Sequence, residues 1–123
     1  MKPICKLTML AFLAIPMGLQ AQSHRPQSDF TTDTLMTHDP VMAYEKGTFH
    51  LFSTGIGLQH ATSKDLKKWT VKATTAMSVI PKWTHDSVPG FRNHVWAPDI
   101  IRYKDKWWMA YSCSSFGKNT SAI

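Results

Sequence analysis

Hydrolysis by paired carboxyl groups needs one carboxylate to take a proton from water and one carboxylic acid to hand a proton to the leaving oxygen. The chain holds eight acidic residues, and Glu45 is its only glutamate. Asp39 stands in His38-Asp39-Pro40, at the start of an apolar run. That position suits a water-activating base and equally suits an ordinary turn or cap aspartate before proline. Glu45 sits in Glu45-Lys46-Gly47, which reads as a solvent-exposed hairpin tip from which a carboxyl group cannot reach a pocket. Asp99, in Trp96-Ala97-Pro98-Asp99-Ile100, is the remaining aspartate beside a proline. His38, His50, His60, His85 and His94 show no metal-ligand spacing such as a helical i, i+4 pair, so no zinc or iron site is expected.

The elements that must position these groups read as strands. Residues 1–21 have a basic start at Lys2 and Lys6, an apolar stretch from Leu7 to Met17 and a small residue at Ala21; they are expected to be a signal peptide cut before Gln22. Cys5 precedes the apolar stretch, whereas a lipidated cysteine follows it. Residues 22–37 are polar, lack an apolar period and read as a mature N-terminal leader. From His38 the pattern alternates: Val41-Met42-Ala43-Tyr44, a turn, then Thr48-Phe49-His50-Leu51-Phe52-Ser53 form a hairpin. A third strand is expected over Gly57–Ser63. A capped turn over Ser63–Trp69 then drops Leu66 and Trp69 into the core before an outer strand from Val71.

The same order returns after Trp96. Sliding the chain by about 59 residues lays Val41 on Ile100, Tyr44 on Tyr103, Phe49 on Trp108 and Ser53 on Ser112. A repeat of that length suits a four-stranded propeller blade with a long connection, and the second unit is unfinished at Ile123. Trp107 and Trp108, in the alternating strand, are expected to fill the core. A compact single-domain sandwich using two similar hairpins is the simpler alternative.

Charge narrows the partners. The chain carries 14 Lys and Arg against 8 Asp and Glu, and loss of the signal removes two of those lysines. The mature balance is mildly basic and scattered, so neither a nucleic-acid partner nor a membrane partner after signal cleavage is expected. Cys113 is the one mature cysteine, so no intrachain disulfide forms in it.

His38-Asp39-Pro40, Ser63-Lys64-Asp65-Leu66-Lys67-Lys68-Trp69, Trp96-Ala97-Pro98-Asp99-Ile100 and the segment from Tyr111 to Ile123, in that order, resemble glycoside hydrolase family 43, in particular its arabinan endo-1,5-α-L-arabinosidases. The resemblance implies an all-β, five-bladed β-propeller of which residues 38–123 supply about the first two blades. It also implies an inverting mechanism with three carboxyl groups at the centre of one face. Asp39 then becomes the general base. The family's acid Glu and the second Asp that tunes its pKa match no residue here, so the fragment alone is expected to be inactive. Asp99 is read as a rim or structural residue, because the 59-residue slide places Pro98 opposite Asp39 and a one-residue offset turns a side chain to the other face. Substrate contacts are expected at His38, Trp96, Phe116, Asn119, Thr120 and Ser121. Trp96 would stack on an arabinofuranose ring, and the others would offer the directional hydrogen bonds that a neutral polyol needs. Core packing for Trp96 and a plain turn for the Phe116–Ser121 segment remain the structural alternatives.

The resemblance implies arabinan or an arabino-oligosaccharide as partner and a secreted or periplasmic location. It implies no cofactor in this chain, and a calcium in the full-length protein held from a later blade. An exo-acting arabinofuranosidase or β-xylosidase of the same family, or a non-catalytic glycan-binding propeller, would share the same early motifs.

Overall fold

The computed structural model describes residues 27–115 and 117–123; the expected signal peptide and Phe116 lie outside the described residues. Two antiparallel sheets dominate. The first contains β1 (Phe30–Thr32), β2 (Val41–Glu45), β3 (Thr48–Ser53), β5 (Gln59–Ser63) and β6 (Trp69–Val71), in the order β1-β6-β5-β3-β2. The second has the order β4-β7-β8-β9, with β4 (Gly55–Ile56), β7 (His94–Tyr103), β8 (Lys106–Ser114) and β9 (Ser121–Ala122). β4 directly follows the first sheet's β3 yet pairs with β7, Gly55 opposite Val95, so the chain stitches the two sheets together at that point. One short helix, α1 (Lys82–Ser87), interrupts the connection between the sheets.

Both hairpins close through two-residue turns in which each central residue has positive φ: Lys46 and Gly47 in one, Lys104 and Asp105 in the other. Such turns carry the right-handed strand twist through the reversal. They also fix the repeat. Val41 pairs with Phe52 and Asp99 with Ala110, so the two units superpose at a spacing of 58 residues, one fewer than the sequence slide. The slide followed the matching tyrosines, Tyr44 and Tyr103, whereas in the structure Tyr103 takes the place of Glu45. A one-residue slip reverses every side chain, which changes the reading of both faces.

With that register, Ala43, His50 and Phe52 of the first sheet face Ile100, Trp107 and Met109 of the second across a cleft of about 420 Å³. The opposite faces of the pair stay open: Met42 and Tyr44 on the first sheet, Ile101, Tyr103 and Trp108 on the second, are all exposed. Trp107 and Trp108 therefore do not fill a core, being 36% and 57% exposed. Trp107 lines the cleft with Arg102 over its ring, and Trp108 lies on the face against which no described element packs. The buried core is elsewhere. Leu58, Val88, Phe91, Val95 and Cys113 cluster where the inter-sheet connection folds against β7 and β8.

Two further expectations change. The leader is not wholly irregular, because Phe30–Thr32 pairs with Trp69–Val71 as a fifth strand of the first sheet. The turn after β5 is capped, with Ser63 Oγ accepting from the Asp65 and Leu66 amides and Asp65 Oδ1 accepting from Lys67 and Lys68. The Lys68 amide above all, then the Lys67 amide and the Ser63 hydroxyl that donates to the same Oδ1, hold Asp65 below the usual carboxylate range. Trp69 is buried as expected. Leu66, however, adopts φ +62° within the turn and is 46% exposed.

Candidate active site

Asp39 lies two residues before β2 with φ +48°, a backbone conformation that non-glycine residues rarely adopt. Pro40 follows, and a residue before proline is already excluded from the right-handed helical region. Ala97 repeats the arrangement before Pro98, with φ +44° and a break in the β7–β8 register between Trp96 and Asp99. At the 58-residue spacing, His38-Asp39-Pro40 superposes on Trp96-Ala97-Pro98. Opposite Asp39 is thus Ala97, not the Pro98 of the sequence slide.

The two positions meet through one side chain. Thr54 Oγ1 donates to Asp39 Oδ2 at 3.1 Å and accepts from the Ala97 amide at 3.0 Å. The Thr54 amide in turn donates to the His38 carbonyl at 3.0 Å. His38 Nδ1 lies 2.7 Å from the same Asp39 Oδ2. Oδ2 is therefore held by two groups, while Oδ1 has no partner among the described residues. The Asp39 side chain is 43% exposed, which leaves Oδ1 open to solvent water.

Other expected site residues fall into place unevenly. Trp96 is half-buried, its ring tilted against His94 at a centroid distance of 4.2 Å, and its carbonyl accepts a long bond from Ser112 Oγ. Burial pushes the His94 imidazole below its ordinary pKa. Asp99 is exposed and accepts a bond from the adjacent Ile100 amide, so its carboxylate is used locally. It is the counterpart of Val41, so the face-reversal argument made for it does not hold. What separates it from Asp39 is its place two residues further along the unit. Asn119 is exposed and Thr120 half-buried on the loop leading into β9, and Ser121, the first residue of β9, is exposed; Phe116 lies outside the described residues.

Glu45 lies at the far end of β2. Six residues at about 3.3 Å each put it about 20 Å from Asp39, against the roughly 6.5–9.5 Å that an inverting carboxyl pair spans. Glu45 lines the cleft between the sheets with His50 and Phe52. Among the described residues no three His, Cys, Asp or Glu side chains cluster closely enough to hold a metal ion. The calcium implied by the family resemblance thus finds no ligand set in them, and no step below passes through it.

Sequence reasoning missed Thr54. Fifteen residues separate it from Asp39, and the one available signal was that both units end their hairpin on hydroxyl residues, Ser53-Thr54 and Ser112.

The chief feature of the site is thus a carboxylate on a positive-φ residue before proline, with one oxygen contacted by Thr54 and His38 and the other without a partner among the described residues. The chain belongs to glycosyl hydrolases family 43, whose sequence profile matches residues 33–123. It is 46% identical over 86 residues to the extracellular exo-α-(1→5)-L-arabinofuranosidase ArbA of Cellvibrio japonicus, covering 70% of this chain and 24% of that protein. It is 40% identical over 92 residues to the extracellular endo-α-(1→5)-L-arabinanase 1 of Bacillus subtilis, covering 72% of this chain and 28% of the relative. Among solved structures, an exo-1,5-α-L-arabinanase from a bovine ruminal metagenomic library superposes with a TM-score of 0.66 at 50% identity, over 70% of this chain and 28% of that one. The chain spans about a quarter of the length of the curated relatives it matches. Its two sheets are accordingly part of a five-bladed β-propeller, the fold of these arabinanases.

Proposed function

We propose that this chain is the N-terminal part of a secreted enzyme that hydrolyses α-1,5-L-arabinofuranosidic bonds in arabinan or arabino-oligosaccharides with inversion, Asp39 acting as general base. The observation that carries the reading is the Asp39 carboxylate, with Oδ2 fixed by Thr54 and His38 and Oδ1 open. An inverting base must take a proton from water on the face of the sugar opposite the leaving group. A carboxylate with one oxygen anchored presents the other in a fixed direction. Trp96 and His38, at the same place in neighbouring blades, serve as sugar contacts, together with Phe116, Asn119, Thr120 and Ser121. The general acid comes from outside these residues, since Glu45 is too far from Asp39, and the 123-residue chain alone turns over no substrate. Names of relatives that include "extracellular" support export through residues 1–21.

The relatives named above include both exo- and endo-acting proteins, and the exo-named one shares 46% identity against 40% for the endo-named one. Exo action is therefore the second reading. Product analysis separates the two, because endo cleavage of debranched arabinan gives a ladder of oligosaccharides from the first turnovers and exo cleavage releases one short product.

The test uses a chain continued over the full length of its relatives. Hydrolysis of debranched arabinan with inverted anomeric configuration of the first product by proton NMR, abolished in Asp39→Asn, is the expected result. Asn has nearly the same shape as Asp and lacks only the basicity. Retained configuration, or an Asp39→Asn enzyme of near-normal rate, overturns the assignment.

A further inference from the structure

The hydrogen bonds around Asp39 have a direction. A backbone amide can only donate, so Ala97 N–H gives its proton to Thr54 Oγ1. A hydroxyl has a single proton of its own, and an ionised carboxylate can only accept. The Thr54 proton therefore points at Asp39 Oδ2, and the chain runs one way: Ala97 amide, Thr54 hydroxyl, Asp39 carboxylate. Thr54 is 8% exposed, so water competes little for its hydroxyl, whereas the His38 side chain that grips the same oxygen is 72% exposed. The Thr54 amide is tied to the His38 carbonyl, and the next residue, Gly55, enters the second sheet opposite Val95. Thr54 is thus fixed by both sheets at once. Its β-branched side chain has few rotamers to lose.

We propose that Thr54 is a positioning residue for the proton-accepting step: its hydroxyl, oriented by the Ala97 amide of the neighbouring blade, keeps Asp39 Oδ2 occupied so that Oδ1 faces the attacking water. This rests on the reading of Asp39 as the base. The second blade shows what happens without a carboxylate to hold. Ser112, the counterpart of Thr54, sends its hydroxyl to the Trp96 carbonyl instead, at 3.4 Å. Register at the blade junction is in this way read directly by the base, since any slip of β7 against β4 moves the Ala97 amide and turns the Thr54 proton away from Asp39.

The experiment compares Thr54→Val, Thr54→Ala, Thr54→Ser and Asp39→Asn in the chain continued over the full length of its relatives, measuring kcat and KM on arabino-oligosaccharides and melting temperature for each. Valine keeps the shape and removes the hydroxyl. The expected result is a fall in kcat on the order of 10- to 100-fold for Thr54→Val, with KM within a few-fold and near-normal melting, as small misplacements of a reacting group produce. Thr54→Ser should restore kcat to within a few-fold. If Thr54→Val does not fold, Thr54→Ala, which relieves any steric conflict, is held to the same criterion. Normal kcat in both hydroxyl-free variants while Asp39→Asn is inactive overturns the role of Thr54 and leaves Asp39 standing. Equal losses in the Ser and Val variants also overturn it, as they would reflect the methyl group or packing. Activity in Asp39→Asn removes the base assignment itself.

Discussion

Replacing Gly57 by alanine should be among the most damaging single-methyl changes available in this fold, and the cost can be built from three parts. Gly57 has φ +63°, a conformation that costs a residue with a Cβ roughly 1–2 kcal/mol. The added Cβ would lie 2.8 Å from both the Met77 carbonyl oxygen and Thr75 Oγ1, distances at which something must move. What would move is held: the Met77 amide donates to the Gly57 carbonyl at 2.9 Å, and the Gly57 amide donates to the Asn93 carbonyl at 3.0 Å. Weakening those two bonds forgoes about 1 kcal/mol each. The sum is about 3–4 kcal/mol, a large share of the roughly 5–15 kcal/mol that separates a folded domain from its unfolded chain. Gly47 supplies the control, because it too has positive φ, +79°, but its added Cβ would meet nothing within 4 Å. Gly47→Ala should therefore lose only the conformational part, about 1–2 kcal/mol. Urea unfolding of both variants in the continued chain measures the difference directly. Midpoints shifted equally would refute the argument, since the close approach at Gly57 would then contribute nothing.

Acid should weaken the first sheet through His60, which burial, helped by the charges of His50 and Lys72, holds below its ordinary pKa of 6.5. The unfolded chain then binds more protons, so this stability is fully present above pH 6.5 and is lost as pH falls toward and through the lower folded value. Melting temperature should drop between pH 7 and 5, and the drop should be smaller in His60→Asn; an unchanged slope in that variant would assign the effect elsewhere. The Cys113 thiol, buried in the core and pushed above its usual pKa by that burial, should resist a thiol-specific reagent at pH 8 in the folded protein and react at once in denaturant. Rapid labelling without denaturant would contradict the core described here.

The strands were legible where a face alternates. Val41–Glu45, Thr48–Ser53 and Lys106–Ser114 carry enough alternating apolar residues to mark themselves. Their register was not, because residue identities such as Tyr44 and Tyr103 drew the two units together one position out of step. The true alignment is set by backbone conformation at Lys46-Gly47 and Lys104-Asp105, and only one of those four residues is a glycine that advertises it. Phe30–Thr32 escaped notice since three residues with one apolar side chain give no period, and it becomes a strand only because Trp69–Val71 offers it an edge. Leu66 looked like a core residue from its type, but the Ser63 and Asp65 caps place it in a left-handed turn that points it outward. Asp39 drew notice through its motif. Thr54 did not, since the amide that meets its hydroxyl is 43 residues away.

Asp39 and Ala97 occupy the same place in two copies of one repeated unit. Each blade makes the same backbone departure before proline, φ +48° in one and +44° in the other, so the strained geometry belongs to the architecture and not to catalysis alone. Strain of this kind persists only where the surroundings over-determine it. Here the Thr54 amide fixes the His38 carbonyl, and the Thr54 hydroxyl fixes the Ala97 amide. With the backbone already bent, the side chain at that position decides what each copy does. An aspartate puts a carboxylate at the bend, where the Thr54 hydroxyl donates to it, whereas alanine leaves only the backbone amide that donates to Thr54.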